Sequence, residues 1–103
     1  MKMIIKITKI IDDDVWPAVV ECKFCDAYGQ EHIIYEKFPI VTAEIITLNS
    51  VFPKKGVIRC SLLNQWFDKD AGPIIKVSTE LPDYVEIVDG LSEFCLLAEN
   101  IVE

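Results

Sequence analysis

The sequence predicts a single all-β domain over residues 1–103, folded as a small antiparallel barrel or a compact sandwich of six to eight strands. Apolar and polar residues alternate with a period of two along most of the chain, and β-branched residues are abundant. Turns of about two to six residues join the candidate strands, and such turns are too short for the crossovers that parallel strands need. With 103 residues, 51% of them hydrophobic, the chain is long enough to bury one core.

Three strands are predicted in the first half of the chain, over residues 2–11, 18–25 and 31–37. The run Asp12–Asp14 ends the first strand as a turn would. The second and third strands form a hairpin around the turn residues 26–29. Residues 42–47 fit either a short helical turn capped by Thr42 or a short strand, so at most one helical turn is expected.

The second half is predicted to hold a long strand over residues 57–67, a strand over residues 74–80 and a last hairpin of residues 84–88 and 91–98. Asp68–Gly72 joins the first two of these strands and ends in a glycine suited to positive φ. Asp89 and Gly90 lie between two apolar runs and give the strongest hairpin signal in the chain. The inward-facing positions of all these strands give the predicted core: Ile5, Ile7, Val20, Cys22, Phe24, Ile34, Ile58, Cys60, Leu62, Ile75, Val77, Phe94 and Leu96.

The net charge of −7 arises entirely in the last quarter of the chain. Residues 1–76 hold ten acidic and ten basic residues, whereas residues 77–103 hold seven acidic residues and no basic one. These acids lie singly among β-type apolar residues, which indicates a folded acidic surface and not a flexible tail. Such a surface steers a basic protein towards itself. The predicted partner-binding residues are therefore Glu80, Asp83, Glu86, Asp89, Glu93 and Glu99.

The charge pattern argues against nucleic acid and membranes as partners. Nucleic-acid binding draws on Lys and Arg that neutralise phosphates, and here the only arginine is Arg59 and the lysines are scattered in sequence. No apolar run approaches the length that spans a bilayer. Lys6 and Lys9 interrupt the apolar N-terminus, and no small-residue cleavage site follows, so a cytoplasmic location is expected over export.

The four cysteines, Cys22, Cys25, Cys60 and Cys95, are expected to be reduced thiols with a structural role. Cys22 and Cys25 have C-x-x-C spacing, but residues three apart on a strand face opposite sides and cannot easily share a metal. No helix follows Cys25 to stabilise a thiolate as a redox dithiol requires. The aspartates at residues 12–14 and 68–70 lack the further ligands of a calcium loop. The sequence therefore predicts no metal and no cofactor.

His32 is the only histidine, and it limits the catalytic mechanisms open to the chain. Ser/His/Asp and Cys/His catalysis would both depend on it, and an enzyme using His32 or Cys25 is the least favoured alternative. A structural histidine, hydrogen-bonded to Asp26 across the hairpin turn, is the favoured interpretation. The chain is thus expected not to be an enzyme.

Trp16 is a further candidate for partner binding. Three of the five prolines follow an aromatic residue, as Pro17 follows Trp16, and such pairs mark strand ends or edges. An exposed Trp-Pro pair would form a binding knob, because tryptophan is enriched at interface hot spots. The alternative interpretation is an aromatic side chain that plugs the end of a barrel.

Short patterns in three places carry a resemblance: Asp26-Ala27-x-Gly29-x-x-His32, Pro53-x-x-Gly56-Val57-Ile58-Arg59-Cys60 and Gly90-Leu91-Ser92-Glu93-Phe94. With them the chain resembles a set of small, stand-alone, uncharacterised bacterial β-rich proteins of about 100 residues. The resemblance spans most of the chain and implies a bacterial cytosolic β protein. In size and acidity the chain also resembles the immunity proteins that neutralise bacterial toxins.

These observations favour a non-enzymatic protein-binding module that presents its acidic last quarter to a basic partner. An immunity or inhibitor protein is the most concrete version of this hypothesis. The alternative is a small-molecule-binding barrel, although a barrel of this size is usually filled by its own side chains. A homodimer that closes the hairpin edges competes with these interpretations.

Overall fold

The computed structural model describes all 103 residues and shows eight antiparallel strands in two sheets. The strands are β1 (Lys2–Asp12), β2 (Val19–Cys25), β3 (Glu31–Lys37), β4 (Lys54–Arg59), β5 (Ser61–Asp68), β6 (Gly72–Ser78), β7 (Glu93–Leu97) and β8 (Ile101–Val102). Two short 3-10 turns, Phe38–Ile40 and Ala98–Asn100, are the only helical elements. No helix is long and apolar enough to cross a bilayer.

The larger sheet has five strands and is organised around β1. Its order is β3-β2-β1-β4, and β8 also pairs with β1. Residues 3, 5 and 7 of β1 point inward and are almost fully buried, as the alternation in the sequence predicts. The β2–β3 hairpin forms in the predicted place, and Cys22 pairs with Ile34 on its inner face.

The smaller sheet has the order β5-β6-β7 and packs over the larger one. Val77 of β6 and Phe94 of β7 are register partners, and both belong to the main core cluster. Strand β5 is one of the two outer strands of this sheet, and seven of its eight residues are exposed. The two sheets do not close into a barrel, so of the two predicted architectures the sandwich describes the molecule.

The main core joins eighteen buried residues from both sheets and from the connections between them. Eleven of the thirteen predicted core residues are buried, and Ile75 is partly buried against the cluster. The prediction of Leu62 as a core residue is wrong. Its strand β5 is mostly exposed, and the Leu62 side chain is 47% exposed. Val41, Ile46, Val85 and Ile87 were not among the predicted core residues, and the structure buries all four in segments without regular secondary structure.

The prediction of one continuous strand over residues 57–67 is wrong, because this segment is divided between two strands. The chain forms β4 in the larger sheet, turns at Cys60, and continues as β5 in the smaller sheet. Cys60 is buried and its N–H donates to the carbonyl of Met1, which fixes the point where the chain changes sheets. A continuous apolar alternation cannot reveal such a change, since both halves obey the same period.

Two other predicted elements also differ. Residues 84–88 do not form a strand; they belong to an irregular connection between β6 and β7. The turn at Asp89 and Gly90 does form, with the N–H of Gly90 donating to the carbonyl of Ile87. Residues 42–47 form neither of the two predicted elements, and the only helical turn nearby is at Phe38–Ile40.

Gly56 in β4 marks the tightest approach in the larger sheet. A Cβ atom there would lie 2.8 Å from Cδ1 of Ile5 and 2.8 Å from the backbone oxygen of Val41. That carbonyl accepts the N–H of Val57, so it cannot move without breaking a hydrogen bond. Only glycine lets the segment around Val41 lie against β4.

We expect Gly56→Ala to lower the free energy of unfolding by about 1–3 kcal/mol, because the added methyl overpacks the site. Urea unfolding followed by tryptophan fluorescence would measure the change. Gly29→Asn is the control, since Gly29 has φ +83° with no atom within 4 Å of the position a Cβ would take, and asparagine tolerates this region. Equal stability losses in the two variants would contradict the packing argument.

Candidate functional site

The connection between β6 and β7, residues 79–92, holds most of the predicted partner-binding acids, and we call it the acidic loop. Its two ends are joined, because the N–H of Thr79 donates to the carbonyl of Ser92 over 2.8 Å. The hydroxyl of Thr79 also donates to the carbonyl of Val85 over 2.6 Å, and Thr79 is fully buried. A loop with adjoining ends and an internally satisfied backbone has the features of an Ω-loop.

Two apolar side chains anchor the acidic loop in the core. Val85 is fully buried and Ile87 is 4% exposed, and both belong to the main core cluster. The backbone beside them is also hydrogen-bonded: the N–H of Val88 donates to the carbonyl of Ile33 on β3 over 2.9 Å. The loop is therefore held in one conformation although it contains no strand or helix.

An ion pair anchors the other side of the loop. Arg59 at the end of β4 donates two hydrogen bonds to the carboxylate of Asp83, over 2.6 and 3.0 Å. The hydrogen bond to Asp83 and its negative charge both raise the pKa of Arg59. Since β3 and β4 are the outer strands of the larger sheet, the acidic loop is bonded to both of its sides.

The surface of the acidic loop combines apolar and acidic groups. Four of its large apolar side chains are more than half exposed: Leu81 (69%), Tyr84 (65%), Val88 (55%) and Leu91 (56%). The acids Glu80, Glu86 and Asp89 alternate with them, are also exposed, and take part in no ion pair. Exposed apolar patches rimmed by polar residues mark interaction sites.

Tyr84 has φ +53°, and it is the only non-glycine residue of the chain in the left-handed region. A bulky residue there is disfavoured by about 1–3 kcal/mol. The buried neighbour Val85 and the Arg59–Asp83 pair hold the backbone in this conformation. The strained backbone displays the tyrosine ring at the loop surface.

The structure separates the predicted acids into a group of four in the loop and two outside it. Glu93 begins β7 and lies 3.6 Å from Lys76, so its charge is partly compensated. Glu99 lies in the 3-10 turn that follows β7, at the opposite end of that strand from the loop. The acidic face is therefore centred on the loop.

Trp16 lies in the turn between β1 and β2 and is 68% exposed. Its ring packs edge-on against Phe38, with 5.4 Å between the centroids. A shallow cleft beside it is lined by Ile46 and Leu48. The side chain is thus a surface knob and not a plug, but no hydrogen bond or ion pair of the acidic loop reaches it.

Strand β5 is a second exposed apolar surface. Leu62 and Leu63 are about half exposed and Phe67 is 75% exposed. One edge of the strand has no partner in the sheet. Unpaired edges of this kind can pair with the same edge in a second copy of a protein. A homodimer stays a prediction, and β5 is one of the sheet edges available for it.

His32 and Asp26 form the predicted hydrogen bond across the hairpin turn, with 2.8 Å between Nε2 and Oδ2. The ring of His32 lies against Phe24 and Phe94 on the inner face of the sheet. Cys25 is one register position away from His32 and points to the opposite face, so the two side chains do not form a dyad. The geometry thus gives His32 a carboxylate partner in Asp26 but no thiol partner in Cys25.

Burial raises the pKa of Asp26, but hydrogen bonds from His32 and from the N–H groups of Gln30 and Tyr28 outweigh it and lower the pKa overall. A lowered carboxyl pKa stabilises the fold above the unfolded value near 4, and this contribution is lost as the pH falls through the folded value. We therefore expect Asp26→Asn to lower the free energy of unfolding by about 1 kcal/mol at pH 5, and by less at pH 2.5.

Urea unfolding at both pH values would measure this difference. Asp70→Asn is the control, since Asp70 lies in an exposed turn and its carboxylate accepts no hydrogen bond in the structure. A stability difference for Asp26→Asn that stays constant from pH 5 to pH 2.5 would contradict the assignment.

The four cysteines are free thiols in contrasting environments. Burial, followed by the nearby carboxylates of Glu36 and Glu21, raises the pKa of Cys22 to about 12. Cys25, three residues later, is exposed, so the C-x-x-C pair does not converge. No group of three or more His, Cys, Asp or Glu side chains is placed to hold a metal ion.

We expect iodoacetamide at pH 8 to modify Cys25 in the folded protein while Cys22 stays unmodified. At a pKa of about 12 the thiolate population of Cys22 is about 1,000-fold below that of an ordinary thiol. Peptide mapping by mass spectrometry after timed quenching would give both rates, with the urea-unfolded chain as the control. Similar rates in the folded protein would contradict the prediction, and a Cys25 rate above that of an ordinary thiol would revive the nucleophile hypothesis.

Sequence reasoning missed one cluster of charged residues. The lysines that are scattered in sequence come together in the larger sheet, where Lys6 pairs in register with Lys23 on one side and with Lys55 on the other. Alternation places each of them on an outward face, but their alignment depends on strand register. No local signal in the sequence could have found the cluster.

No protein-family model matches the chain, and no curated protein or solved structure shows significant similarity to it. A function for the chain therefore has to be inferred from its own residues and their geometry.

Proposed function

We propose that this chain is a protein-binding module whose docking surface is the acidic loop, and that its partner is a basic protein with an exposed apolar patch. The observation that carries the proposal is the alternation of exposed apolar and unpaired acidic side chains on a loop that is anchored in the core. The acids steer the encounter, and the apolar side chains stabilise the complex once water is excluded.

The anchoring of the loop supports this proposal on energetic grounds. A flexible loop loses backbone conformational entropy when it binds, at about 1–2 kcal/mol for each residue whose backbone is fixed. Here Val85 and Ile87 are already buried and the loop ends are already bonded. Binding therefore needs little further ordering of the backbone, and more of the contact energy appears as affinity.

The charge distribution supports a basic partner in particular. The chain carries a net charge of −7, and no basic residue follows Lys76 in the sequence. Asp83 is neutralised by Arg59, which leaves Glu80, Glu86 and Asp89 as the charges that the loop offers to a partner. An inhibitor or immunity-type protein for a basic enzyme is the most concrete function of this kind.

We expect a triple variant, Glu80→Lys, Glu86→Lys and Asp89→Lys, to lose the partner. Association should slow by about 10- to 100-fold at low salt, and the difference should shrink as salt screens the charges. The matched control is Asp13→Lys, Asp14→Lys and Asp70→Lys, which alters the net charge equally, from −7 to −1, on two exposed turns. Affinity capture from the native lysate with all three proteins, at low and high salt, would show which proteins depend on the loop.

A protein retained by the wild type and the control but lost from the loop variant would support the proposal. Its association rate with each purified variant would then be measured by surface plasmon resonance. Equal capture by the loop variant and the wild type would overturn the acidic loop as the docking surface.

A second variant separates binding from stability. Tyr84→Asn removes the exposed ring but places a residue that tolerates the left-handed region, so the fold should be as stable as the wild type or slightly more stable. Partner affinity should fall by about tenfold or more, because exposed tyrosines in such patches act as hot spots. Unchanged affinity would show that the tyrosine ring takes no part in binding.

A further inference from the structure

A cleft opens where the larger sheet is incomplete. Strand β8 pairs with Lys2 and Met3 of β1, and β2 pairs with β1 only from Lys6 onward, on the same side of the strand. Ile4 and Ile5 therefore have no partner strand on that side. The gap has a volume of about 370 Å³ and lies at the lower end of the range for small-molecule sites.

The interior of the cleft is apolar. Ile5 of β1, Phe24 of β2 and Leu96 of β7 line it, and each of them is less than a tenth exposed. These are core residues that border the gap in the sheet. A ligand that reaches them meets a rigid hydrocarbon surface.

The mouth of the cleft is basic. Lys6, Lys23, Lys54 and Lys55 line it, and no aspartate or glutamate does. Three of these lysines lie side by side on the outer face, since Lys6 is the register partner of both Lys23 and Lys55. Directly opposed side chains of an antiparallel pair have Cβ atoms about 4.5–5.5 Å apart.

Nearby carboxylates compensate only some of these charges. The ammonium group of Lys23 lies 3.9 Å from carboxylate oxygens of Glu21 and of Glu31. Lys54 lies 3.0 Å from Glu44. Lys6 and Lys55 have no carboxylate within 4.0 Å. Two adjacent positive charges are therefore left uncompensated in a chain of net charge −7.

Three like charges in one row across adjacent strands destabilise a sheet. Natural proteins break such local rules mainly at functional sites. An anion on the row would compensate Lys6 and Lys55, the two ammonium groups without a carboxylate within 4.0 Å. Its apolar part would enter the gap towards Phe24 and Leu96.

We propose that this cleft binds a small organic anion, with its carboxylate or phosphate group on Lys6, Lys23 and Lys55 and an apolar body in the gap of the sheet. The site shares no residue with the acidic loop, so it is independent of the proposed docking function. The cleft is basic whereas the loop is acidic, so the two sites would bind ligands of opposite charge.

The test is an NMR titration of the ¹⁵N-labelled protein with four probes. Phenyl phosphate and benzoate each combine an anionic group with a ring, benzyl alcohol has only the ring, and inorganic phosphate has only the charge. We expect saturable shifts at the amides of Ile5, Lys6, Phe24 and Cys25, with Kd of about 1 mM or tighter for at least one aromatic anion. The tighter of the two aromatic anions identifies the preferred head group.

Benzyl alcohol and inorganic phosphate should each bind at least about tenfold more weakly than that anion. Lys6→Gln and Lys55→Gln should each weaken anion binding by about tenfold, whereas Lys69→Gln, an exposed turn lysine outside the cleft, should not. Lys6→Gln should also raise the midpoint of thermal unfolding, because it removes the central charge of the row.

Three outcomes would overturn the proposal: no saturation with either aromatic anion, equal binding of inorganic phosphate or benzyl alcohol, or unchanged affinity in both lysine variants. The two-dimensional spectrum of each variant shows directly whether it is folded. The result does not depend on capture of a protein partner, so it can fail while the docking function stands.

Discussion

The central strand β1 is the element on which the larger sheet depends. It pairs with β4 along one side and with both β2 and β8 along the other, and its inner face supplies three core side chains. Its close contact with β4 requires the absence of a side chain at Gly56, where even a methyl group would collide with Ile5 and Val41. The segment after β3 can therefore close against the outer side of β4.

The same strand creates the gap that forms the cleft. Because β2 and β8 are shorter than β1 and share one side of it, the sheet is interrupted at Ile4 and Ile5. The interruption forms a cleft that is lined by core groups and, beside them, by a row of lysines. An apolar cleft with uncompensated lysines at its mouth adds little to stability. It is suited to bind an amphiphilic anion.

The acidic loop follows a different principle. Its stability comes from two buried apolar side chains, a buried threonine and the ion pair of Arg59 with Asp83, and not from a regular ladder. These anchors allow the remaining side chains to be exposed without making the backbone flexible. The exposed residues of such a loop can change in evolution, and with them the binding specificity, while the core stays unchanged.

The sequence by itself determined the all-β class, the β2–β3 hairpin, most of the core and the hydrogen bond of His32 with Asp26, because each of these depends on alternation or on neighbours close in the chain. It also located the acidic surplus, since counting charges requires no structure. Only the tertiary structure decided that residues 57–67 divide between two sheets, that Val85 and Ile87 anchor a loop, and that Lys6, Lys23 and Lys55 are aligned. Strand register and the choice of sheet join residues far apart in the chain, and a period of two is the same whichever partner a strand has.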